Sequence, residues 1–463
     1  MQMKQEMAAQ GEPVEPASVI PPAISDVENF ALAPLWREML GDDYRETKGS
    51  IYRGMHIRTQ NSTAPKMPPA DWRKGERTVL ADWQGYFREV RAQVSVSGQT
   101  DVFPVPEHAG IPAADVLFAL SRYDSQLAEL REAARRPRSR FPLRYEDGVN
   151  MALPHLDYLQ RASAFLRLRI LAELDLGEAD DALTDLQLGF RLQETIESEP
   201  TLISYLVRIS MIETIVSAIW QGAVEHRWSD AQLTALDAQL RELDFLGDYE
   251  RAFRAEAIWG VRTFDVLCAS RDARLAFGLS YGNESVSGWK KAFRWMPAGW
   301  FEQNKITFVR QLRELRLLRA QPSADYIDVV RCNEHIAKLN ASFSNRTPYD
   351  FMSVSMGSFG ELSIRAAETI AHIRLARTAC ALERHWLAHG EFPETLGVLA
   401  PGFTDAVPKD IIDGGDLKYR RGTAGGFVLY SPGWNVVDDG GSAGLLRNNY
   451  DRRQGDWVWL APA

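Results

Sequence analysis

The feature that most constrains this chain is a helical pattern of apolar side chains that continues through a large part of its length. From about residue 113 to about residue 339, apolar residues recur three and four positions apart, the spacing of one face of an α-helix. Two such faces are Leu156, Leu159, Ala164, Leu168 and Leu171, and Leu202, Leu206, Ile209, Ile212 and Val216. The pattern predicts a mainly α protein whose body is a stack of antiparallel helical hairpins with short connections.

Two capping positions and one hairpin refine this prediction. Ser229 and Asp248 stand before apolar-periodic runs and are predicted N-caps, because their side chains can accept hydrogen bonds from free amides of the first turn. Residues 174–200 resemble one tetratricopeptide unit, with Gly177, Ala182 and Pro200 at its small-residue and stop positions. No second copy follows at a period near thirty-four residues, so the resemblance supports hairpin packing and no more.

The first part of the chain, residues 1–70, is predicted to form an extended arm. Proline-containing stretches at 11–22 and 63–69 lack amide hydrogens and fix φ, which favours an unpacked chain. A helix is expected from about Trp72 to Ala92, and the alternation of residues 94–105 predicts a short strand. Together with the helices that follow, these residues form the predicted body, 71–350.

A stretch rich in Gly, Ser and Phe, residues 349–360, is predicted to end the body and to precede a C-terminal α+β domain at 361–463. Its helix is expected to begin near Glu361 and to stop at Gly390, a C-cap position. One face of that helix carries Leu362, Ala366, Ile373, Ala376, Cys380 and Leu387. Residues 417–421, 426–431 and 456–460 have the pattern of short strands, which predicts a three-stranded antiparallel sheet.

This order of helix, loop, strands and acidic glycine turn resembles the globular end of type II secretion major pseudopilins. The phrases that carry the resemblance are Gly390-Glu-Phe-Pro-Glu-Thr-Leu396 and Tyr430-Ser-Pro-Gly433. The resemblance implies a small antiparallel sheet lying on a long helix, with a calcium ion holding the final loop. The apolar N-terminal half of the pilin helix and its processing site are absent, so assembly into a pilus by that route is not expected.

The resemblance also implies candidate metal ligands in the acidic loop. Family positions that carry oxygen ligands map onto Asn435 and Asp456, with Asp438 and Asp439 close by. Calcium takes six to eight oxygens from flexible loops, which these side chains and backbone carbonyls can supply. Asn435 lacks the charge and Val436 the flexibility of the family loop, so the alternative is a hydrogen-bonded turn without metal. Calcium is the ion expected if a metal binds, and no other cofactor is expected.

One segment of the body is a candidate contact surface. Residues 288–301 interleave aromatic and basic side chains, namely Trp289, Lys290, Lys291, Phe293, Arg294, Trp295 and Trp300. Aromatic rings beside cations favour a groove on a protein partner or a lipid headgroup layer, and aromatic anchors are common interface hot spots. The alternative is a connecting loop whose tryptophans fill the core. The segment is predicted to bind a protein partner, with a membrane surface as the second expectation.

Charge and motifs limit the classes of function. The formal net charge of −9 disfavours a nucleic-acid binder, whose surface is usually basic. Phosphate loops, dinucleotide fingerprints and nucleophile elbows do not occur in the sequence. His385 and His389 stand four residues apart near Glu383 and could hold zinc with a further ligand, although the HExxH phrase is missing. Their place at a helix C-terminus, which favours imidazolium, is the simpler interpretation.

These observations favour a non-enzymatic scaffold or protein-interaction protein of the cell envelope, linked to a secretion or pilus-like system. The chain resembles an uncharacterised group of bacterial envelope proteins in Gly11-Glu-Pro13, in Phe141-Pro-Leu-Arg-Tyr-Glu-Asp-Gly148 and in the terminal domain. Members of that group often begin with a hydrophobic anchor. No run of eighteen apolar residues occurs in this chain, so no transmembrane helix is predicted within it and an envelope location requires an upstream anchor. Two alternatives stay open: a cytoplasmic helical adaptor, and a hydrolase or lyase with a site between the helical body and the C-terminal domain.

Overall fold

The computed structural model describes residues 15–36, 55–57, 70–97, 103–280, 293–316, 324–344, 353–422 and 425–461. The α-helices of this part of the chain are α1 Leu80–Ser97, α2 Pro112–Leu120, α3 Asp124–Ala134, α4 Pro154–Leu176, α5 Ala179–Glu194, α6 Leu202–Val224, α7 Asp230–Arg241, α8 Phe245–Ala269, α9 Arg271–Ser280, α10 Ala298–Arg316, α11 Val329–Ser344 and α12 Ser353–His389. The strands are β1 Lys418–Arg421, β2 Phe427–Ser431, β3 Ala443–Leu446, β4 Asn449–Gly455 and β5 Trp457–Ala461. The predicted fold class, mainly α with a small C-terminal antiparallel sheet, is confirmed.

The helix boundaries follow local capping chemistry. Ser229 is the N-cap of α7, as predicted, and it also forms a capping box with Gln232. The predicted cap at Asp248 is wrong, because α8 begins one turn earlier, where the Asp244 side chain accepts the amide of Gly247 at 2.9 Å. Gly177 ends α4 with φ +82°, a left-handed conformation that glycine adopts without steric cost. The turn at Gly177 lets α5 pack back on α4 as a hairpin.

The N-terminal region differs from the expectation of an unpacked arm. Phe30 and Trp36 are buried, and their rings lie 5.2 Å apart and contact Phe141. Asn29 holds this segment on the body through its amide, which donates to the carbonyl of Arg140 at 2.9 Å. Residues 29–36 therefore pack into the folded core, since aromatic burial outweighs the local bias of the prolines, whereas residues 15–28 are exposed or half-buried.

The predicted helix from Trp72 to Ala92 is also corrected. Trp72–Lys74 forms a separate 3₁₀ turn that Gly75 ends at φ +75°, and α1 starts five residues later at Leu80 and runs to Ser97. Of the strand predicted at residues 94–105, positions 94–97 are helical, positions 98–102 lie outside the described residues, and 103–105 form no strand. The early turn matters for the site, because it places Trp72 and Arg73 beside α6 and α12.

α12 is longer than predicted. It begins at Ser353 and not near Glu361, so at least residues 353–360 of the expected break are helical, whereas 349–352 lie outside the described residues. Glycine serves close packing here, because a Cβ on Gly360 would lie 3.1 Å from Ile336 of α11. Leu387 is exposed, whereas the other five members of the predicted face are buried. The C-cap at Gly390 is confirmed, with φ +76° and its amide donating to Trp386.

The sheet has the predicted three antiparallel strands, in the order β1-β2-β5, with Leu429 between Tyr419 and Trp459. A second, two-stranded sheet of β3 and β4 was not expected. The three-stranded sheet packs on α12 and α6, and the Trp220 indole donates to the carbonyl of Leu460 at 2.8 Å. A continuous set of buried residues joins helices and sheet. The division at 71–350 and 361–463 stays a prediction.

α6 is central to the body and contacts α4, α5, α8 and α12. Among the described helices it is the one that is long and apolar enough, by length and composition, to cross a membrane. In the most apolar stretch of α6, 67% is buried inside the protein. Core helices of folded proteins can have the same length and composition as a membrane-spanning helix. Burial on several sides explains the composition of α6, so this finding is weak evidence for a membrane span.

Candidate functional site

A polar stripe runs along α6, the central and largely apolar helix of the body. Ser210, Glu213, Thr214 and Ser217 follow one another at intervals of three, one and three residues, which places them on one helical face. All four line a cavity with a volume of about 390 Å³. Because polar groups on a buried helix are expensive unless they are satisfied or used, this cavity is the candidate functional site.

The other walls of this cavity, here called the cleft, come from distant parts of the chain. α4 contributes Ala164 and Arg167, and α12 contributes Arg365, Glu368 and Thr369. The remaining polar lining comes from the segment before α1 and from β4, namely Asp71, Arg73, Thr78 and Arg452. The cleft therefore lies between the helical body and the C-terminal helix and sheet. The hydrolase or lyase alternative placed its site at this junction.

Two arginines in the cleft have no carboxylate partner within ion-pair distance among the described residues. Arg167 donates to the hydroxyl of Ser217 at 3.0 Å and to that of Thr78 at 2.7 Å, and burial lowers its pKa to about 10. Burial also lowers the pKa of Arg365, and the nearby charge of Arg452 adds to this effect. Arg167 therefore keeps its charge without an ion pair, whereas the charges of Glu368 and Glu213 partly offset the effect of burial on the pKa of Arg365.

The other cleft arginines are paired. Arg73 makes a bidentate contact with Asp71, at 2.8 and 3.0 Å, and lies over the ring of Tyr450 at 4.4 Å. Arg452 contacts Glu368 at 3.3 Å. The four lining arginines thus face three carboxylates, those of Asp71, Glu213 and Glu368. The lining therefore contains one more arginine than carboxylates, which gives it an excess of positive charge.

Glu213 is held by two side chains of α12. Thr369 donates its hydroxyl to Glu213 Oε1 at 2.8 Å, and Nδ1 of the fully buried His372 lies 2.9 Å from Oε1 and 3.0 Å from Oε2. Burial by itself would raise the pKa of Glu213, but His372, Arg73 and Thr369 together lower it. The carboxylate is therefore ionised at neutral pH and its position is fixed. The Trp72 ring packs against the His372 imidazole at 4.7 Å and supports it.

The aromatic and basic segment lies only partly within the described residues. Trp289, Lys290 and Lys291 fall outside them, and Phe293–Trp295 forms a short 3₁₀ turn. Trp295 is 72% exposed, with the Arg271 guanidinium 5.7 Å from its ring centroid. Arg294 pairs with Asp272 at 3.1 Å, and Trp300 is half-buried at the start of α10. The described members of this segment do not line the cleft.

The acidic loop has the geometry of a hydrogen-bonded turn. The buried Asp456 accepts the amides of Asp439 at 3.2 Å and Gly441 at 2.6 Å. Asp438 accepts the Tyr430 hydroxyl at 2.9 Å, and the Asn435 amide donates to Asp439 at 2.9 Å. Among the described residues, no group of three or more His, Cys, Asp or Glu side chains is arranged to hold a metal ion. Calcium binding by Asn435, Asp438, Asp439 and Asp456 stays a prediction.

His385 and His389 both use Nδ1 on backbone carbonyls. His385 Nδ1 lies 2.9 Å from the Glu391 oxygen, and His389 Nδ1 lies 3.0 Å from the oxygen of His385. The two rings stack at 4.2 Å. These contacts satisfy carbonyls at and just beyond the C-terminus of α12. They agree with the interpretation that the two histidines stabilise the end of this helix.

The cleft was not predicted from the sequence, although one signal for it was present. Only the apolar face of α6 was predicted. The spacing of four other residues defines a second, polar face of the same helix, namely Ser210, Glu213, Thr214 and Ser217. In comparisons with known proteins, no family model, no curated protein and no solved structure matches the chain.

Proposed function

We propose that this protein binds a small anionic molecule in the cleft. The observation that carries the proposal is the presence of Arg167 and Arg365 in the cleft lining without carboxylate partners among the described residues. A buried guanidinium without a counter-charge is costly, and a bound carboxylate or phosphate would supply that charge. Guanidinium groups also match the planar geometry of these anions through paired hydrogen bonds.

The size and lining of the cleft agree with a small-molecule ligand. A volume of about 390 Å³ lies within the usual range for ligand pockets. The hydroxyl groups of Ser210 and Thr214 add hydrogen-bonding capacity, and Trp72 and Trp83 add apolar surface. Because the cleft joins the body to the C-terminal segment, it is also the place where we would seek a hydrolase or lyase reaction.

Thermal unfolding in the presence of anions tests the proposal. At low ionic strength, phosphate, sulfate, succinate or citrate is expected to raise the thermal midpoint of the wild type, because a ligand that binds the folded state stabilises it. Arg167→Met should fold, since methionine can occupy the apolar part of the site, and should lose most of the anion-induced shift.

The matched control for this experiment is Arg135→Met. Arg135 has the same charge, but its side chain is 79% exposed and it does not line the cleft. This variant should keep the full anion-induced shift. An equal shift in wild type, Arg167→Met and Arg135→Met would mean that the anions act through general surface charge, and would overturn the proposal.

Trp295 favours a second function, the scaffold or protein-interaction role. The Trp295 indole is 72% exposed and lies beside Arg271 and Arg294, and exposed tryptophans next to arginines are typical anchors of protein interfaces. The prediction is that a photo-reactive amino acid placed at position 295 forms a discrete adduct with a protein partner in cells. The same probe at Val27, which is 78% exposed, should not form that adduct. Identical adduct patterns at the two positions would contradict the interaction role.

We also keep the cell envelope as the proposed location, on the pseudopilin-like pattern of the last part of the chain. The cytoplasmic adaptor is the alternative proposal. An in-frame apolar segment in the genomic DNA upstream of Met1 would favour the envelope, and its absence would favour the cytoplasm.

A further inference from the structure

Glu213 is a carboxylate in the lining of a cleft that is proposed to bind an anion, and the two arginines do not account for its presence. An ionised carboxylate in the lining of an anion-binding cleft repels the ligand, so its presence weakens binding unless the ligand offers it something in return. Glu213 does not pair with Arg167 or Arg365 among the described residues. Its hydrogen bonds are those to Thr369 and His372 of α12.

The carboxylate keeps unused acceptor capacity. A carboxylate has about four lone-pair sites. Glu213 Oε1 takes the Thr369 hydroxyl at 2.8 Å, and the two oxygens share His372 Nδ1, at 2.9 and 3.0 Å. His372 is fully buried and does not line the cleft, whereas the Glu213 side chain does and is 20% exposed. The interior contacts therefore fix the carboxylate and leave part of it available to a donor in the cleft.

A hydroxyl group is the donor that fits this surrounding. A cationic group on the ligand would also satisfy Glu213, but it would lie in a lining that already carries an excess of positive charge. A hydroxyl donates a hydrogen bond without adding charge. It would also separate the anionic part of the ligand, next to the arginines, from the carboxylate.

We propose that the anion bound in the cleft carries a hydroxyl group that donates to Glu213, so that the preferred ligands are small hydroxylated anions. This inference rests on the proposed anion-binding function. Hydroxycarboxylates and polyol phosphates share the required chemistry, an anionic group for Arg167 and Arg365 and a hydroxyl for Glu213. Glu213 acts in this account as a specificity-determining residue.

Calorimetric titration with matched ligand pairs tests the inference. Malate and succinate differ by one hydroxyl, and glycerol 3-phosphate differs from inorganic phosphate by its polyol part. The hydroxylated member of at least one pair should bind the wild type about ten-fold more tightly, the factor that corresponds to about 1.4 kcal/mol for a hydrogen bond to a charged acceptor. Which pair shows the preference identifies the carboxylate or the phosphate source.

Glu213→Gln then separates recognition of the hydroxyl from binding of the anion. Removal of the negative charge should leave succinate or phosphate binding unchanged or tighter, while the preference for the hydroxylated ligand falls to about three-fold or less, since a neutral hydrogen bond is weaker. Glu394→Gln, at a side chain that is 82% exposed, should change neither quantity. Glu213→Asp, which keeps the charge but withdraws the oxygens, gives a second test should Glu213→Gln fail to fold.

The outcomes distinguish the two proposals. Equal binding of both members of each pair to the wild type overturns the hydroxyl inference and leaves the anion site standing. A preference that persists in Glu213→Gln, or in Glu213→Asp should Glu213→Gln fail to fold, also overturns it. Absence of binding by all four ligands overturns the anion site, and the inference with it.

Discussion

Asp248→Ala is expected to lower the free energy of unfolding by about 3–5 kcal/mol, because it leaves the guanidinium of Arg208 buried without its counter-charge. Both side chains of this ion pair are only 3% exposed. Arg208 also donates to Gln193 Oε1 at 3.1 and 2.9 Å and lies 4.9 Å from the Phe245 ring centroid. These contacts hold the Arg208 guanidinium in place after the substitution.

Urea denaturation at pH 7 measures this effect, with Asp405→Ala as the matched control. Asp405 also pairs with an arginine, Arg241, but its side chain is 83% exposed, so its loss should change stability by less than about 1 kcal/mol. The double variant Arg208→Met with Asp248→Leu should recover most of the stability, because it removes both buried charges. Similar effects of Asp248→Ala and Asp405→Ala would show that the buried pair is not a major element of the core.

The second large effect is expected in the cleft. Arg167→Met combined with Arg365→Met should weaken binding of the best anion at least about 100-fold by calorimetry. Each charge-assisted hydrogen bond contributes about 1.5–3 kcal/mol, and two of them correspond to at least two factors of ten in affinity. Arg167 donates to the hydroxyls of Ser217 and Thr78, and neither guanidinium forms an ion pair with a carboxylate among the described residues, so both can pair with an anionic ligand.

The control is a second double substitution that also removes two positive charges. Arg135 and Arg138 have side chains that are 79% and 64% exposed, and their replacement by methionine should reduce affinity by no more than a few-fold. An equal loss of anion affinity in both double variants would show that binding depends on the overall charge of the protein and not on the cleft. Retention of affinity in the cleft variant would place the ligand elsewhere.

The sequence could predict those parts of the fold that depend on local pattern. The helical periodicity of the body, the N-cap at Ser229 and the C-cap at Gly390 each depend on a few neighbouring residues, and each agrees with the structure. Long-range packing overrode local signals elsewhere. Gly360 suggested a break but serves a close approach to Ile336, and the prolines before Phe30 suggested an unpacked arm although aromatic burial fixes that segment.

The cleft could not be predicted as a site because its parts are distant in sequence. Arg73, Arg167, Glu213, Arg365 and Arg452 come together only when α12 packs on α6 and β4 packs near both. None of these residues belongs to a spaced motif, and a lone arginine in a helix usually faces solvent. The polar face of α6 was the one part of the site visible in the local sequence pattern. Its role in lining a cleft became clear only from the positions of the neighbouring helices.

The most direct test of the central claim is to locate an anion in the cleft. Crystals soaked in tungstate, a phosphate-like anion with a strong anomalous signal, should show a tungsten peak within about 4–5 Å of the guanidinium carbons of Arg167 and Arg365, the distance of a hydrogen-bonded oxyanion. The peak should be absent from crystals of the Arg167→Met and Arg365→Met double variant. Tungsten peaks at surface arginines together with an empty cleft in the wild type would contradict the account.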